Sequence, residues 1–377
     1  MKLRFLIHIF LLIFMPLMPT AGFAFETDQY NLPPGPLADI GDEVAEYATE
    51  NISKAIAKIN DEIAVRQACV ERTSAKCGSP ENDRKRLVYL RSEDAIAREI
   101  FKLLGDGIIP FTKSGTWMNS HKFRAHPARY KTSYRKSIFI LVPTDYFTIS
   151  PTVNMYGTSF GTDKIAHFFQ QGFTYYRIYK RALAKGSSAK EAETKAVDWG
   201  RMTERTYFGT LVGGVYSNAD LYANYAGMRF YQTLAKPSKI GDLERPAVVS
   251  LRNGIWILNE NAVKILLKPF ISDHLNEALN PSLYIPGLRS SVRGNVRKQS
   301  CSQWRALYPN RTKQDFEELT GSLKLWHGED YGFKKSEKFV TIANTCYSDT
   351  ALTGRNRVRL GSFTISGYNP GRYRSRY

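Results

Sequence analysis

The sequence predicts a mainly α fold with a minor β element, arranged as a single helical domain over residues 25–377. Three observations carry this. Apolar residues recur at helical intervals through several long segments, only one short run has β texture, and no long Pro/Gly/Ser linker divides the chain. With 377 residues, 43% of them hydrophobic, the chain can bury a sizeable core.

The first segment, residues 1–24, places Lys2 and Arg4 before an apolar run from Phe5 to Met18 and a small-residue exit at Gly22-Phe23-Ala24. That order is a secretory signal peptide with cleavage after Ala24. The run is short and holds Pro16, with Pro19 just beyond, which speaks against an uncleaved anchor. Beyond it no apolar stretch reaches the roughly 20 residues of a spanning helix. The expected location is therefore exported, periplasmic or secreted.

"NLPPGP" then gives a stiff extended stretch. Residues 38–67 carry apolar positions at helical spacing (Ile40, Val44, Tyr47, Ile52, Ala55, Ile59, Ile63), as do residues 81–104 (Leu87, Leu90, Ala97, Ile100, Phe101, Leu104). Both read as amphipathic helices. Cys69 and Cys77 lie between them, and Cys301 and Cys346 follow much later. An even number of cysteines in an exported chain points to two disulfides. Three pairings are open, and proximity favours Cys69 with Cys77 and Cys301 with Cys346. No Cys-x-x-Cys or His-x-x-x-His spacing supports zinc.

"KFRAHPARYKTSYRK" is basic with interleaved aromatics, and "SIFILVP" after it is the short β-type run. Three helices follow between residues 162 and 235. The last third alternates short helices ("AVKILLKPF", "KQDFEELTG") with loops, and a basic tail over about residues 366–377 reads as mobile. The formal charge is +18, or +16 once Lys2 and Arg4 leave with the leader. In an exported protein such a surface is drawn to an anionic envelope polymer or membrane surface before nucleic acid.

Within "GTDKIAHFFQQGFTYYRIYKR" Thr162 is placed to cap a helix, with Asp163 in its first turn. Helical spacing from Asp163 gives His167, Gln170, Gln171 and Thr174. A solvated stripe would hold Lys and Glu, whereas short groups that both donate and accept suit a half-enclosed cleft or a polar face packed on a neighbour. The second helix opens with a Ser188–Glu191 capping box. Glu204 shares its face with Val197, Gly200, Phe208 and Leu211, so it must find a partner, with Arg201, Arg205 and Lys164 as candidates, or take up a proton. Ser217 caps the third helix with Asp220 at its N3 position. Asn224, one turn on, needs a hydrogen-bond partner, and Gly227 lets another backbone come close.

The series Asp163-Lys164-x-x-His167-Phe168, Glu204, Asp220-x-x-x-Asn224-x-x-Gly227 resembles the pattern of VanZ-like proteins and of small uncharacterised envelope lipoproteins, over about residues 163–227. VanZ-like proteins are integral membrane proteins, and this chain departs from them in lacking spanning segments. The resemblance implies an envelope role and a single location for Asp163, His167, Glu204, Asp220 and Asn224.

Three chemistries fit such a group. His167 and Glu204 form a general acid–base pair with Asp163 or Asp220 orienting the imidazole, while Lys164, Gln170, Gln171 and Asn224 bind substrate. Alternatively, Glu204 and Asp220 are paired carboxylates for glycoside cleavage. A third arrangement is a divalent metal held by Asp163, His167 and Asp220. No Gly-x-Ser-x-Gly, Walker loop, dinucleotide fingerprint or His-Glu-x-x-His is present, so no cofactor is implied.

"SDHLNEALNPSLY" brings Asp273, His274 and Glu277 within about a helical turn. It reads as a solvated helix capped by Ser272 and Asp273 and stopped at Asn280-Pro281. The remaining histidines of the mature chain, His121, His126 and His327, carry no specific signal. The leading functional expectation is an exported hydrolase acting on a glycan or wall polymer through Glu204 and His167. The alternative is a non-catalytic envelope-binding or scaffold protein whose polar residues form a buried network.

Overall fold

The computed structural model describes residues 26–71, 77–109, 111–142, 149–206, 208–211, 213–240, 243–334 and 338–347. The leader and the basic tail lie outside them. Helices dominate and the strands form small two-stranded sheets, as the patterning predicts.

Helix α1 (Gly41–Val70) has Asp42 and Glu43 in its first turn, where carboxylates suit the free amides. It buries Val44, Ala48, Ile52, Ala55, Ile59 and Ile63, one stripe at three- and four-residue steps. The segment expected as one helix over 81–104 is two, α2 (Pro80–Leu90) and α3 (Glu93–Leu104). Ser92 makes the break: its backbone is extended, its Oγ accepts the Ala95 N–H at 3.3 Å and donates to the Tyr89 carbonyl at 2.6 Å. A single serine thus stops one helix and caps the next. Cys69 is bonded to Cys77 and Cys301 to Cys346, the pairing that proximity favours.

After α4 (Lys113–Ser120), the run "SIFILVP" is not a strand: residues 137–141 form turns, and its last residue, Pro143, lies outside the described residues. Ile138 and Phe139 are buried, whereas Ile140 and Leu141 are exposed. Two in and two out is the signature of a turn and not of a pleat, whose side chains alternate.

The hairpin β1 (Thr152–Met155) with β2 (Thr158–Gly161) leads into α5 (Asp163–Ala166), a π-helical turn at His167–Gln171 and α6 (Gly172–Ala184). Then come α7 (Ala189–Arg205), opened by the expected Ser188–Glu191 capping box, β3 (Val215–Tyr216) and α8 (Asn218–Gln232), capped by Ser217 as expected. Hairpins β4–β5 (Ser238–Ile240, Leu243–Arg245) and β6–β7 (Val249–Arg252, Ile255–Leu258) follow. The second turns through Asn253 and Gly254, both at positive φ, a tight hairpin turn. The chain ends in α9 (Glu260–Val263), β8 (Leu283–Tyr284, paired with β3), α10 (Pro286–Asn295), a second π turn at Val296–Ser300, α11 (Cys301–Leu307), α12 (Lys313–Ser322) and α13 (Ile342–Cys346).

The apolar core lies in two clusters. The larger joins α1–α3 to α6–α8, and the smaller joins residues 138–139 to α10–α13. Residues 26–31 run through the interior as a buried strap. Its hydrogen bonds reach Ser150, Ser159, Asp163, Glu277, Ser300, Trp304 and Val340.

Candidate functional site

Lys164 is the hub of the polar centre. Its Nζ lies 2.6 Å from Asp163 Oδ2, 2.5 Å from Asp220 Oδ1 and 2.5 Å from Glu277 Oε1, so its three N–H donors each meet a carboxylate. The side chain is fully buried, and Asp163, Asp220 and Glu277 are at most 3% exposed. Three separate elements, α5, α8 and the loop before β8, therefore meet at one ammonium.

Local structure sets each of these groups. Thr162, expected as the cap of the first helix, has helical dihedrals and no capping hydrogen bond; its hydroxyl donates to Asn119 Oδ1 at 2.8 Å. Entry from the β1–β2 hairpin fixes the helix start without a side-chain cap. Asp163 Oδ1 accepts from Thr27 Oγ1 at 2.6 Å. A Cβ on Gly161 would stand 2.0 Å from that hydroxyl oxygen, so only glycine leaves room for the strap. Ser217 Oγ accepts the Asp220 N–H at 3.0 Å as a cap and donates to Glu277 Oε1 at 2.6 Å, while Ser282 Oγ donates to Glu277 Oε2 at 2.7 Å.

Glu204 lies inside at 2% exposure, with Val197 and Gly200 buried on its face as expected, but α7 stops at Arg205, so Phe208 and Leu211 lie past the helix and Leu211 is 76% exposed. It pairs with neither Arg201 nor Arg205. Arg201 reaches Asp198 and the Tyr331 carbonyl, and Arg205 lies over the Tyr216 ring. Glu204 Oε1 instead accepts the Ser217 N–H at 2.9 Å. His167 Nδ1 meets Asn224 Oδ1 at 3.0 Å, and its Nε2 lies 3.5 Å from Asp220 Oδ2. Asn224 Nδ2 reaches the Tyr175 hydroxyl at 3.5 Å. The mid-helix asparagine thus has the partners that its position demands.

Five carboxyl groups, those of Glu26, Asp163, Glu204, Asp220 and Glu277, share this interior with Lys164 and His167. Burial pushes Glu204 well above the ordinary carboxylate range, and the neighbouring Asp220 charge adds to this. Glu26 is raised well above that range by burial and then by Asp220 and Glu277. Glu277 is raised by burial, against the opposing pull of Lys164. Asp220 goes the other way: burial would raise it, but His167 and Lys164 together outweigh burial and hold it low. Lys164 itself, despite burial, is held well above its ordinary value by Asp163, Asp220 and Glu277. Burial and like charge thus push the three glutamates toward the protonated form, while Asp220 is pushed toward the ionised one.

The sequence-derived group is partly reassembled. Asp163, Lys164, His167, Asp220 and Asn224 are joined directly, and Glu204 joins through Ser217. Gln170 and Gln171 do not belong: no hydrogen bond among the described residues links them to the cluster, and their side-chain oxygens are buried without a partner. The π turn at His167–Gln171 shifts them out of the stripe that α-helical spacing implies. The metal set also differs. Carboxylate oxygens of Glu26, Asp220 and Glu277 lie within 4.8 Å of one another, those of Asp163 are engaged by Thr27 and Lys164, and Asp220 and Glu277 also pair with Lys164.

Glu277 corrects the reading of "SDHLNEALNPSLY". Only Asp273–Leu275 forms a 3-10 turn, Ser272 makes no cap, and Glu277 is buried against Lys164. Its flanking Leu275, Ala278 and Leu279 were the available signal of an interior position. His274 parts from it to stack on Tyr222, ring centroids 4.3 Å apart, and burial pushes its imidazole down to about 4. Glu26 and Thr27 had no signal beyond their place after the leader.

The centre is closed. Its most exposed member, His167, is 7% accessible. Surface depressions of about 490 and 370 Å³, lined by Tyr47 and Trp117 and by Glu62, Arg86 and Glu99, include none of these groups. No helix among the described residues is long and apolar enough to cross a membrane. Comparisons of the chain with protein-family models, with curated proteins and with solved structures give no match.

Proposed function

We propose that this is an exported, non-catalytic envelope-binding protein in which the Lys164 cluster is a charge lock for the fold. One observation carries the reading: the ammonium meets three carboxylates from three elements at 2.5–2.6 Å with no exposed surface of its own. A group that works on a polymer has to be reached by it, and a sealed ion cluster instead fixes which elements meet. Export is supported by the leader and by the two disulfides. Envelope binding is supported by the strongly basic composition.

A second reading, hydrolysis of a glycan or wall polymer, draws on a different observation. Glu204 is pushed up and Asp220 down, and such a divergence is what an acid and a base need in order to work at one pH. The two readings separate in one experiment. Purified protein and its Glu204→Gln variant are incubated with isolated wall polymer, and soluble fragments are measured beside the melting temperature. The lock predicts no release by either protein. Release by the wild type that disappears in Glu204→Gln at a melting temperature no lower than that of the wild type would replace it with the hydrolytic reading.

A further inference from the structure

Two long stretches of the chain contain no acidic residue. Between Asp106 and Asp145 the charged residues are all basic, and the same holds between Glu277 and Asp315. Far apart in sequence, they meet in the fold. Asn31 Nδ2 donates to the Lys136 carbonyl at 3.1 Å, and Asn31 Oδ1 accepts from Ser300 Oγ at 3.0 Å, so one side-chain amide bridges them. Ile138 and Phe139 from the first stretch share an apolar cluster with Val292, Val296 and Trp304 from the second. Arg135, Lys136, Arg297 and Lys298 are exposed, and none forms an ion pair among the described residues.

Four and five positions beyond Lys136 stand two exposed apolar side chains, Ile140 at 39% and Leu141 at 61%. Their turn is anchored from within by the burial of Ile138 and Phe139 and by the Ile138 N–H on Asp28 Oδ2 at 3.0 Å. An apolar tip anchored next to arginines and lysines that make no ion pair among the described residues matches the two layers of an anionic bilayer: charges meet headgroups while the tip enters the acyl boundary. A soluble polyanion would use the charges but leave Ile140 and Leu141 in water.

We propose that this face, Arg135, Lys136, Ile140, Leu141, Arg297 and Lys298, docks the protein on the surface of an anionic phospholipid membrane. The inference rests on the envelope-binding reading and names its partner. Both stretches are required, because the charges come half from each.

The experiment is co-sedimentation of the purified protein with phosphatidylcholine vesicles, with phosphatidylcholine–phosphatidylglycerol vesicles, and with isolated envelope material. The expected result is binding to the phosphatidylglycerol vesicles and the envelope material but not to phosphatidylcholine alone, with vesicle binding weakened at least tenfold by Arg135→Glu/Lys136→Glu and separately by Arg297→Glu/Lys298→Glu, and relieved by salt. Leu141→Ser should weaken it as well, without altering net charge. Where a charge reversal lowers the melting temperature, the neutral Gln pair at the same positions replaces it, with a smaller loss expected. Vesicle binding unaffected by these variants overturns the proposal. So does binding abolished by charge reversal but indifferent to Leu141→Ser, which would identify a soluble polyanion as the ligand. Retention on envelope material without vesicle binding overturns the lipid partner alone, and absence of both overturns the envelope-binding reading itself.

Discussion

A Cβ added to Gly172 would stand 2.5 Å from the Cα of Gly227, so α6 and α8 meet backbone to backbone at this pair. On Gly227 the added carbon would lie 1.9 Å from the Phe168 carbonyl oxygen, inside the π turn that carries His167. The contact therefore holds His167 within reach of Asn224 and Asp220. Gly227→Ala should destabilise by about 1–3 kcal/mol, the usual cost of overfilling a packed site. Chemical denaturation measures it, and a wild-type midpoint would show that the helices can separate freely.

Removing the hub should cost more. Lys164→Met keeps most of the length of the side chain but leaves Asp163, Asp220 and Glu277 facing one another without the ammonium. Breaking a buried ion cluster from one side costs about 3–5 kcal/mol, softened here to the extent that the carboxyls take up protons. The loss should thus be smaller at pH 5 than at pH 8. An equal loss at both would mean that the carboxyls do not titrate together.

Glu204 gives a pH dependence with a definite sign. Its carboxyl is raised in the fold by burial, so between its ordinary value of 4.5 and its folded value the native state binds the extra proton. Stability then falls as pH rises through that window. Glu204→Gln keeps an acceptor for the Ser217 N–H and cannot ionise. Its melting temperature relative to wild type should accordingly be steady below about pH 4.5 and climb as pH rises above it. A difference that does not change from pH 4 to 9 would contradict a retained proton.

The Cys301–Cys346 bond closes a separation of 45 residues and joins α11 to α13. Cys301→Ser/Cys346→Ser should cost about 2–4 kcal/mol. Because both cysteines belong to the smaller apolar cluster, amide exchange should quicken first in α10, α11 and α13, while α8 stays protected. Uniform acceleration across both clusters would show that they unfold as one.

Much of the centre was legible because it sits on helices. The face of Glu204, the awkward position of Asn224 and the smallness of Gly227 all follow from 3.6-residue spacing, which places a residue inside or outside without knowledge of its neighbours. What stayed hidden came from segments with no period. Glu277 lies past a 3-10 turn, and Glu26 in an extended strap, so their burial depends on the rest of the chain closing over them. The π turn at His167–Gln171 leaves no mark in composition, yet it decides that His167 joins the cluster and Gln171 does not. "SIFILVP" misleads because β-branched residues report burial in a turn as readily as in a sheet.

The strap has a consequence for the order in which the chain can fold. Residues 26–31 stand early in the chain, yet some of their partners come much later: Gln29 Oε1 accepts the Glu277 N–H, and the Tyr30 hydroxyl donates to the Val340 carbonyl, 310 positions away. The strap's contacts with Glu277 and Val340 form only once those residues have been made, so this part of the interior closes late. For the export proposed above that late closure is an advantage, since the closing piece waits at the front for the back to arrive.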